Sequence, residues 1–210
     1  MPTEIRIDPL FPEADAVREV AGAIARGAVV VYPTDTLYAL GASARDVAAV
    51  TRICRLKGRR RDQPMSVIAA DGAQVDRDVG IVSSLGRRLA ARWWPGPLTL
   101  VIDAHTHLAQ PCVGAGGSVA VRVPDHAVAC ALARVARTPL VATSANHSGM
   151  APIARLSELD EAVRQAVDLI VDAGPVAGGA PSTIVDARGP KTALLRAGAV
   201  AWDRVLESLS

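Results

Sequence analysis

Hydrophobic residues recur along the chain with a helical spacing in some segments and as short continuous runs in others. Between about 12 and 26 they fall on one helical face, and Gly27 follows where a left-handed helix cap would lie. A second helical pattern covers about 45 to 57 and ends at Lys57 and Gly58. The predicted inward-facing residues are Val17, Val20, Ala21 and Ile24 in the first helix and Val47, Val50, Ile53 and Cys54 in the second.

Strand-like runs lie between the helical patterns. The first is the apolar, β-branched stretch 28–32, which is typical of a buried strand. Further strands are predicted at 65–70, 98–102, 118–123, 139–143 and 169–172, apolar segments at 182–186 and 193–198, and further helices at about 84–92, 126–136, 157–166 and from 202. This alternation predicts an α/β fold with a large, twisted, mixed β-sheet flanked by helices, because several connections are too short for helical crossovers.

Composition and charge narrow the function classes. The 210 residues are 50% hydrophobic and 21% charged, which suits one domain with a sizeable core. The net charge of +2 is too small to make the whole surface a nucleic-acid-binding face, so any basic site must be local. Three cysteines without a CxxC pair predict neither a disulfide framework nor a zinc site. No apolar stretch is long enough to span a membrane, and we expect a cytoplasmic protein.

Several common catalytic signatures are missing. The chain has no GxxxxGK[ST] phosphate loop, no HExxH and no GxSxG nucleophile elbow. The glycines at 114–118 lack the GxGxxG spacing of a dinucleotide loop, and the histidines at 105–107 have no third ligand nearby. We therefore predict no metal held by the histidines. The Gly-Pro stretch 174–181 is predicted to be a flexible surface loop, with a lid as one role for it.

The stretch KGRRRDQPM, residues 57–65, places four cations within five positions. Such a cluster is either a solvated basic turn or a site for a polyanion. Lys57 is one of only two lysines among 23 basic residues, and a compact ammonium suits phosphate binding.

Polar residues also follow two predicted strands. Thr34, Asp35 and Thr36 follow the strand at 28–32, and a second group, Thr143, Ser144 and Asn146, follows the strand at 139–143. Ligands bind at such strand exits in open α/β sheets, although helix capping would also explain these residues.

Seven segments together resemble the YrdC family, the threonylcarbamoyl-AMP synthases of tRNA modification. The segments are PTDTLYALG, LKGRRRDQPMSVI, WPGPLTLV, VAVRVPDH, TSANHSG, PSTIVD and LLRAGAV, and they extend over about 20–200 in the family's order. The resemblance implies a single YrdC-like domain over about 10–200 with a basic concave face, and we expect no additional C-terminal domain. It implies that L-threonine, bicarbonate and ATP are converted to threonylcarbamoyl-AMP and pyrophosphate.

The resemblance also implies roles for particular residues. Lys57 and Arg59 would be catalytic, acting on the phosphates. The ATP-binding residues would be Lys57, Arg59, Gln63, Ser118, Asn146 and Arg196, and the L-threonine-binding residues would be Thr36, Arg122, Ser144 and Ser182, with Thr34 as a second-tier candidate. Mg²⁺ would arrive with ATP and need no protein cage. The product would pass to a separate threonylcarbamoyl transferase complex, so tRNA is an indirect partner and no membrane is involved.

Three positions depart from the family pattern: Ala39 replaces a glycine, Arg60 replaces a proline, and Ala154 lacks a hydroxyl. Two alternatives stay open. One is a relative of the carbamoyl-transferring domain of hydrogenase-maturation proteins. The other is a double-stranded RNA-binding or ribosome-assembly module that uses the same basic concavity, since shape-based RNA binding needs only phosphate contacts.

Overall fold

The computed structural model describes residues 1–58 and 63–209. Within them the α-helices are α1 (Ala14–Ala25), α2 (Val47–Lys57), α3 (Gly72–Asp78), α4 (Ser84–Trp93), α5 (Ala127–Val135), α6 (Glu161–Ala166) and α7 (Trp202–Glu207). The strands are β1 (Thr3–Arg6), β2 (Val30–Pro33), β3 (Tyr38–Gly41), β4 (Val67–Ile68), β5 (Gly80–Ile81), β6 (Leu98–Ala104), β7 (Ser118–Arg122), β8 (Leu140–Val141), β9 (Thr143–Ser144), β10 (Leu169–Asp172), β11 (Thr183–Asp186) and β12 (Ala193–Arg196).

The strands form two mixed sheets. The first has the order β1-β10-β2-β3-β9, in which β1, β10 and β2 pair in parallel, β3 pairs antiparallel with β2, and β9 pairs antiparallel with β3. The second has the order β12-β11-β6-β7-β4-β8, and β5 pairs with β6 beside this path. The predicted mixed α/β fold class is confirmed. The strands, which were predicted to form one large sheet, form two sheets instead. The chain passes from one sheet to the other at Ala142, between β8 and β9.

The first two predicted helices are confirmed, with one error in their buried faces. All four inward-facing residues predicted for α1 are buried, and Gly27 follows with a φ of 91°. The prediction for Val47 is wrong, because its side chain is 59% exposed in the first turn of α2. Asp46 caps this turn by accepting hydrogen bonds from the backbone of Ala48 and Ala49. The buried face of α2 instead ends at Lys57.

The predicted helix at 157–166 is split in two. A 3₁₀ turn covers Leu156–Glu158, and α6 begins only after Asp160. The Asp160 carboxylate accepts hydrogen bonds from the backbone of Ala162 and Val163, so it starts a new helix rather than continuing the turn.

Hydrophobic packing holds the two sheets and their helices together. Helices α1 and α5 pack against each other and share a buried cluster with β2 and β10. A larger cluster joins α2 and α4 to the second sheet. None of the described helices is both long and apolar enough to cross a membrane.

Candidate functional site

A cavity of about 710 Å³ lies over one face of the second sheet. Successive side chains of a strand point to opposite faces, so every second residue of β6, β7 and β11 faces the cavity while its neighbours enter the core. The residues of these three strands that line it are Thr99, Val101, Ala120, Arg122 and Ile184. The walls come from the β2–β3 loop, the end of α2 and the segment that follows β9. The cavity thus gathers segments that are far apart in sequence.

The lining is cationic and rich in hydroxyl and amide groups. Lys57, Arg122 and Arg196 line the cavity, and no Asp, Glu or His is found among the lining residues that the structure describes. The polar uncharged side chains are Thr34, Thr36, Gln63, Ser66, Thr99, Thr143, Ser144, Asn146, Ser148 and Ser182. Such a lining favours an anionic ligand with further hydrogen-bonding groups.

Lys57 is buried at the last residue of α2, and its ammonium is held by the segment after β8. The Nζ atom donates to the backbone oxygens of Ser144 and Asn146, both at 2.7 Å, and to Asn146 Oδ1 at 2.9 Å. These contacts join the end of α2 to β9 and the residues that follow it. The prediction that Lys57 contacts phosphates stays a prediction.

The Asn146 side chain is the centre of a small hydrogen-bond network. Its Oδ1 accepts from Lys57 Nζ and, at 2.6 Å, from the Ser144 hydroxyl. Its Nδ2 donates to the backbone oxygen of Met150. Because both ends of the carboxamide are engaged, its orientation is set by the network.

Arg122 is buried on the cavity floor at the end of β7. Its Nη1 donates to Asp35 and, at 3.4 Å, to the backbone oxygen of Gly96, while its Nη2 lies 3.3 Å from the Thr36 hydroxyl. Thr34 stabilises the same loop, because its hydroxyl donates to Leu37 O at 2.6 Å and lies 3.2 Å from the Thr36 hydroxyl. The β2–β3 loop and Arg122 therefore form one hydrogen-bonded unit.

Ser182 and Arg196 form a second polar group in the cavity lining. Arg196 Nη2 donates to the backbone oxygen of Ser182 at 2.7 Å and to its hydroxyl at 3.1 Å. The Ser182 hydroxyl also lies 2.8 Å from that of Thr99. The backbone of Gly198 passes close to that of Pro181, and only a glycine fits there, because a Cβ at this position would lie 2.2 Å from the backbone oxygen of Pro181.

The predicted loop 174–181 is tied to the site by hydrogen bonds. The Tyr38 hydroxyl donates to Gly174 O at 2.7 Å, and Gly178 N donates to Thr36 O at 2.9 Å. Burial raises the pKa of Tyr38 to about 12, so the hydroxyl stays protonated and able to donate. Flexibility of this loop, and a role as a lid, stay predictions.

The cavity brings together nine of the predicted site residues. They are Thr34, Thr36, Lys57, Gln63, Arg122, Ser144, Asn146, Ser182 and Arg196. Ser118 is not among the described lining residues, and its hydroxyl donates to Ala115 O at 3.0 Å. Arg59 and the departure at Arg60 lie outside the described residues. Ala39 lines the cavity, so the departure there lies within the site.

Sequence reasoning missed Thr99 and the partner of Arg122. Thr99 interrupts the apolar run of β6, and that interruption is a signal that could have marked it. Asp35 was noted only as one of several polar residues after a strand, and its contact with Arg122 joins positions 87 residues apart. Within residues 1–58 and 63–209, no group of three or more His, Cys, Asp or Glu could hold a metal ion.

Comparison with known proteins gives consistent matches. The Sua5/YciO/YrdC family model, described as telomere recombination, matches residues 22–198. A relative from Bacillus subtilis named threonylcarbamoyl-AMP synthase is 34% identical over 199 residues, which cover 94% of this chain and 58% of that protein.

Two solved structures share the fold. P. abyssi Sua5 complexed with L-threonine has a TM-score of 0.90 and 32% identity, covering 100% of this chain and 61% of that chain. E. coli YciO has a TM-score of 0.86 and 25% identity, covering 96% of this chain and 98% of that chain. The chain thus spans less than two thirds of the length of the Bacillus and Pyrococcus relatives and nearly the whole of YciO.

Proposed function

The chain belongs to the Sua5/YciO/YrdC family, and from that membership and the geometry of its cavity we propose that it is an L-threonylcarbamoyladenylate synthase. The enzyme takes L-threonine, bicarbonate and ATP and releases pyrophosphate. The observation that carries the proposal is the cavity lining, in which three cations and a cluster of hydroxyl groups face one space, with no acid among the described lining residues.

The reaction has two bond-forming steps. The threonine amine attacks the carbon of bicarbonate, and loss of water leaves a carbamate. A carbamate oxygen then attacks the α-phosphorus of ATP, and pyrophosphate leaves. Negative charge builds on the leaving phosphates, so fixed cations and hydrogen-bond donors stabilise the transition state. A site without a nucleophilic side chain suits this chemistry, because positioning of the reactants supplies much of the acceleration.

Threonine binds on the Arg122 side of the cavity in this proposal. Arg122 receives the substrate carboxylate, since a guanidinium matches carboxylate geometry with two donors. Thr36, Ser144 and Ser182 offer hydroxyl groups to the amino acid. The Pyrococcus structure is a complex with L-threonine, which supports a threonine site in this fold.

ATP occupies the remaining part of the cavity, with Mg²⁺ carried on its phosphates. The proposed nucleotide contacts are Lys57, Arg59, Gln63, Ser118, Asn146 and Arg196, of which Ser118 is not among the described lining residues. The absence of carboxylates from the described lining fits a metal that enters as part of the substrate. The product is then consumed by a separate threonylcarbamoyl transferase complex that acts on tRNA.

Pyrophosphate release from ATP by the purified protein tests the proposal. Release should require both threonine and bicarbonate, and mass spectrometry should detect threonylcarbamoyl-AMP. Serine in place of threonine is a matched control, because it keeps the amine, carboxylate and hydroxyl and lacks only the methyl group. A rate that is unchanged without threonine or without bicarbonate would contradict the proposal. Tight, salt-sensitive binding of duplex RNA without ATP turnover would instead favour the RNA-binding alternative.

A further inference from the structure

Asp35 is a largely buried acid that contacts Arg122 on the cavity floor. We propose that it is a positioning residue, which fixes the Arg122 guanidinium in the orientation that receives the substrate carboxylate. The identity of that substrate as threonine rests on the proposed function; the relation between Asp35 and Arg122 rests on the geometry of the structure.

The two residues form a buried ion pair. The side chains of Arg122 and Asp35 are only 7% and 11% exposed. Asp35 Oδ1 accepts from Nη1 of Arg122, so one arm of the guanidinium is directed away from the ligand space. Nη2, the other arm, lies 3.3 Å from the Thr36 hydroxyl. Arg122 and Thr36 both line the cavity, whereas Asp35 is not among the lining residues of the described chain. Asp35 therefore acts on a ligand through Arg122.

Stability alone is a weak reason for this pair. The desolvation of two buried charges largely offsets their attraction, and neutral replacement of such pairs is often harmless. Asp35 carries a further cost, because its Oδ2 is buried and has no hydrogen-bond partner within the described residues. A carboxylate retained despite an unsatisfied oxygen is better explained by what it does to Arg122.

In this proposal Asp35 restricts the rotation of the flexible Arg122 side chain. Arginine has several rotatable bonds, and its planar fork binds a carboxylate well only when the donors are aligned. With Nη1 held by Asp35 and Gly96, the plane of the fork is set before the ligand arrives. The entropy of ordering the side chain is then lost during folding rather than during binding.

A double-mutant cycle separates this role from a structural one. L-threonine binding is measured by calorimetry for the wild type, Asp35→Asn, Arg122→Gln and the double variant. Asp35→Asn should weaken threonine binding by about twofold to tenfold, because the Arg122 side chain is then ordered during binding. The same change in the Arg122→Gln background should have no further effect, since Asp35 acts only through Arg122.

Two controls sharpen the result. L-threoninamide lacks the carboxylate charge, so its affinity should not respond to Asp35→Asn. Asp125→Asn removes an exposed acid three residues after Arg122 and should leave threonine binding unchanged. If Asp35→Asn does not fold, the double variant, which has no unpaired buried cation, is compared with Arg122→Gln alone. Weaker binding in the double variant would then overturn the proposal, and equal binding would support it.

The outcomes also distinguish this inference from the proposed function. Equal threonine affinity in the wild type and a folded Asp35→Asn variant would overturn the role of Asp35 and leave the synthase proposal standing. Pyrophosphate release that ignores threonine, in a protein whose threonine binding depends on Asp35 as described, would overturn the synthase proposal alone. A wild type that does not bind threonine would overturn both.

Discussion

Replacement of Lys57 by methionine removes the ammonium and keeps most of the apolar stem. In the native protein this ammonium donates to two backbone oxygens at 2.7 Å and to one amide oxygen at 2.9 Å. Ser144 O still accepts from the backbone N of Asn146 at 2.9 Å. Asn146 O loses the ammonium donor, and an unsatisfied buried group costs about 1–3 kcal/mol. The loss of two further charge-assisted bonds adds to this, while the removal of a buried charge and entry of water from the cavity offset part of it.

The expected decrease in the free energy of unfolding is therefore about 2–4 kcal/mol. For a protein of this size that corresponds to a melting temperature lower by roughly 5–15 °C. Activity should also fall by at least about tenfold, because Asn146 and the segment after β9 lose their anchor. Urea unfolding followed by circular dichroism, together with pyrophosphate release at a temperature where the variant is folded, measures both effects.

Lys191→Met is the matched control, because Lys191 is exposed and is the only other lysine of the chain. It should change the unfolding free energy by no more than about 0.5 kcal/mol. The reasoning is refuted if Lys57→Met is as stable as Lys191→Met and turns over ATP at the normal rate. If stability falls but turnover is normal, the role of Lys57 is limited to joining the end of α2 to the segment that contains Ser144 and Asn146.

Three further predictions concern other parts of the molecule. Asn146→Ala should lower pyrophosphate release by at least about tenfold with the protein still folded, because it removes the carboxamide that bonds Lys57, Ser144 and the backbone oxygen of Met150. Normal turnover would show that Asn146 is not part of the site. Gly198→Ala should destabilise the fold by about 1–3 kcal/mol and reduce activity, because its Cβ would overlap the backbone of Pro181 and Ser182. Gly189→Ala, whose Cβ would approach nothing closer than 3.7 Å, is the control and should be neutral. Burial lowers the pKa of His126, and the nearby Asp35 and Asp125 carboxylates oppose this shift. The unfolded chain therefore binds the proton more readily, and stability should decrease as the pH falls below the ordinary histidine value of 6.5. Denaturant unfolding at about pH 7.5 and about pH 5.5 should show a smaller decrease for His126→Asn than for the wild type or for His107→Asn, and equal decreases would contradict the assignment.

Local patterns predicted the elements that are long and regular. The periodicity of α1 identified its four buried residues, because one apolar stripe of this helix faces the core over its whole length. The same reasoning failed for Val47, since its position at the first turn of α2 takes it away from the core. Strands β1, β3 and β5 were not predicted. Strand β1 carries charged, mostly exposed residues, and its pairing with β10 is a contact across most of the chain.

Candidate residues could be named from the sequence, but their arrangement could not. Residue type and position after a strand marked Thr36, Ser144 and Asn146, because hydroxyl and amide groups at strand exits are suited to ligands. The family resemblance named Ser118 and Ser182 alike, and it could not show that the Ser118 hydroxyl is bonded to its own turn whereas Ser182 lines the cavity.

The chain alone shows the alternation of helices and strands, the cationic and hydroxyl-rich segments, and the resemblance to the family. These properties are local, since they depend on the spacing and chemistry of residues a few positions apart. The folded structure was needed to show that the strands form two sheets, that Lys57 is held by backbone oxygens 87 and 89 residues away, and that Asp35 pairs with Arg122. Such contacts depend on which distant segments pack together, and that is set by burial and hydrogen bonding over the whole fold rather than by any one stretch of the chain.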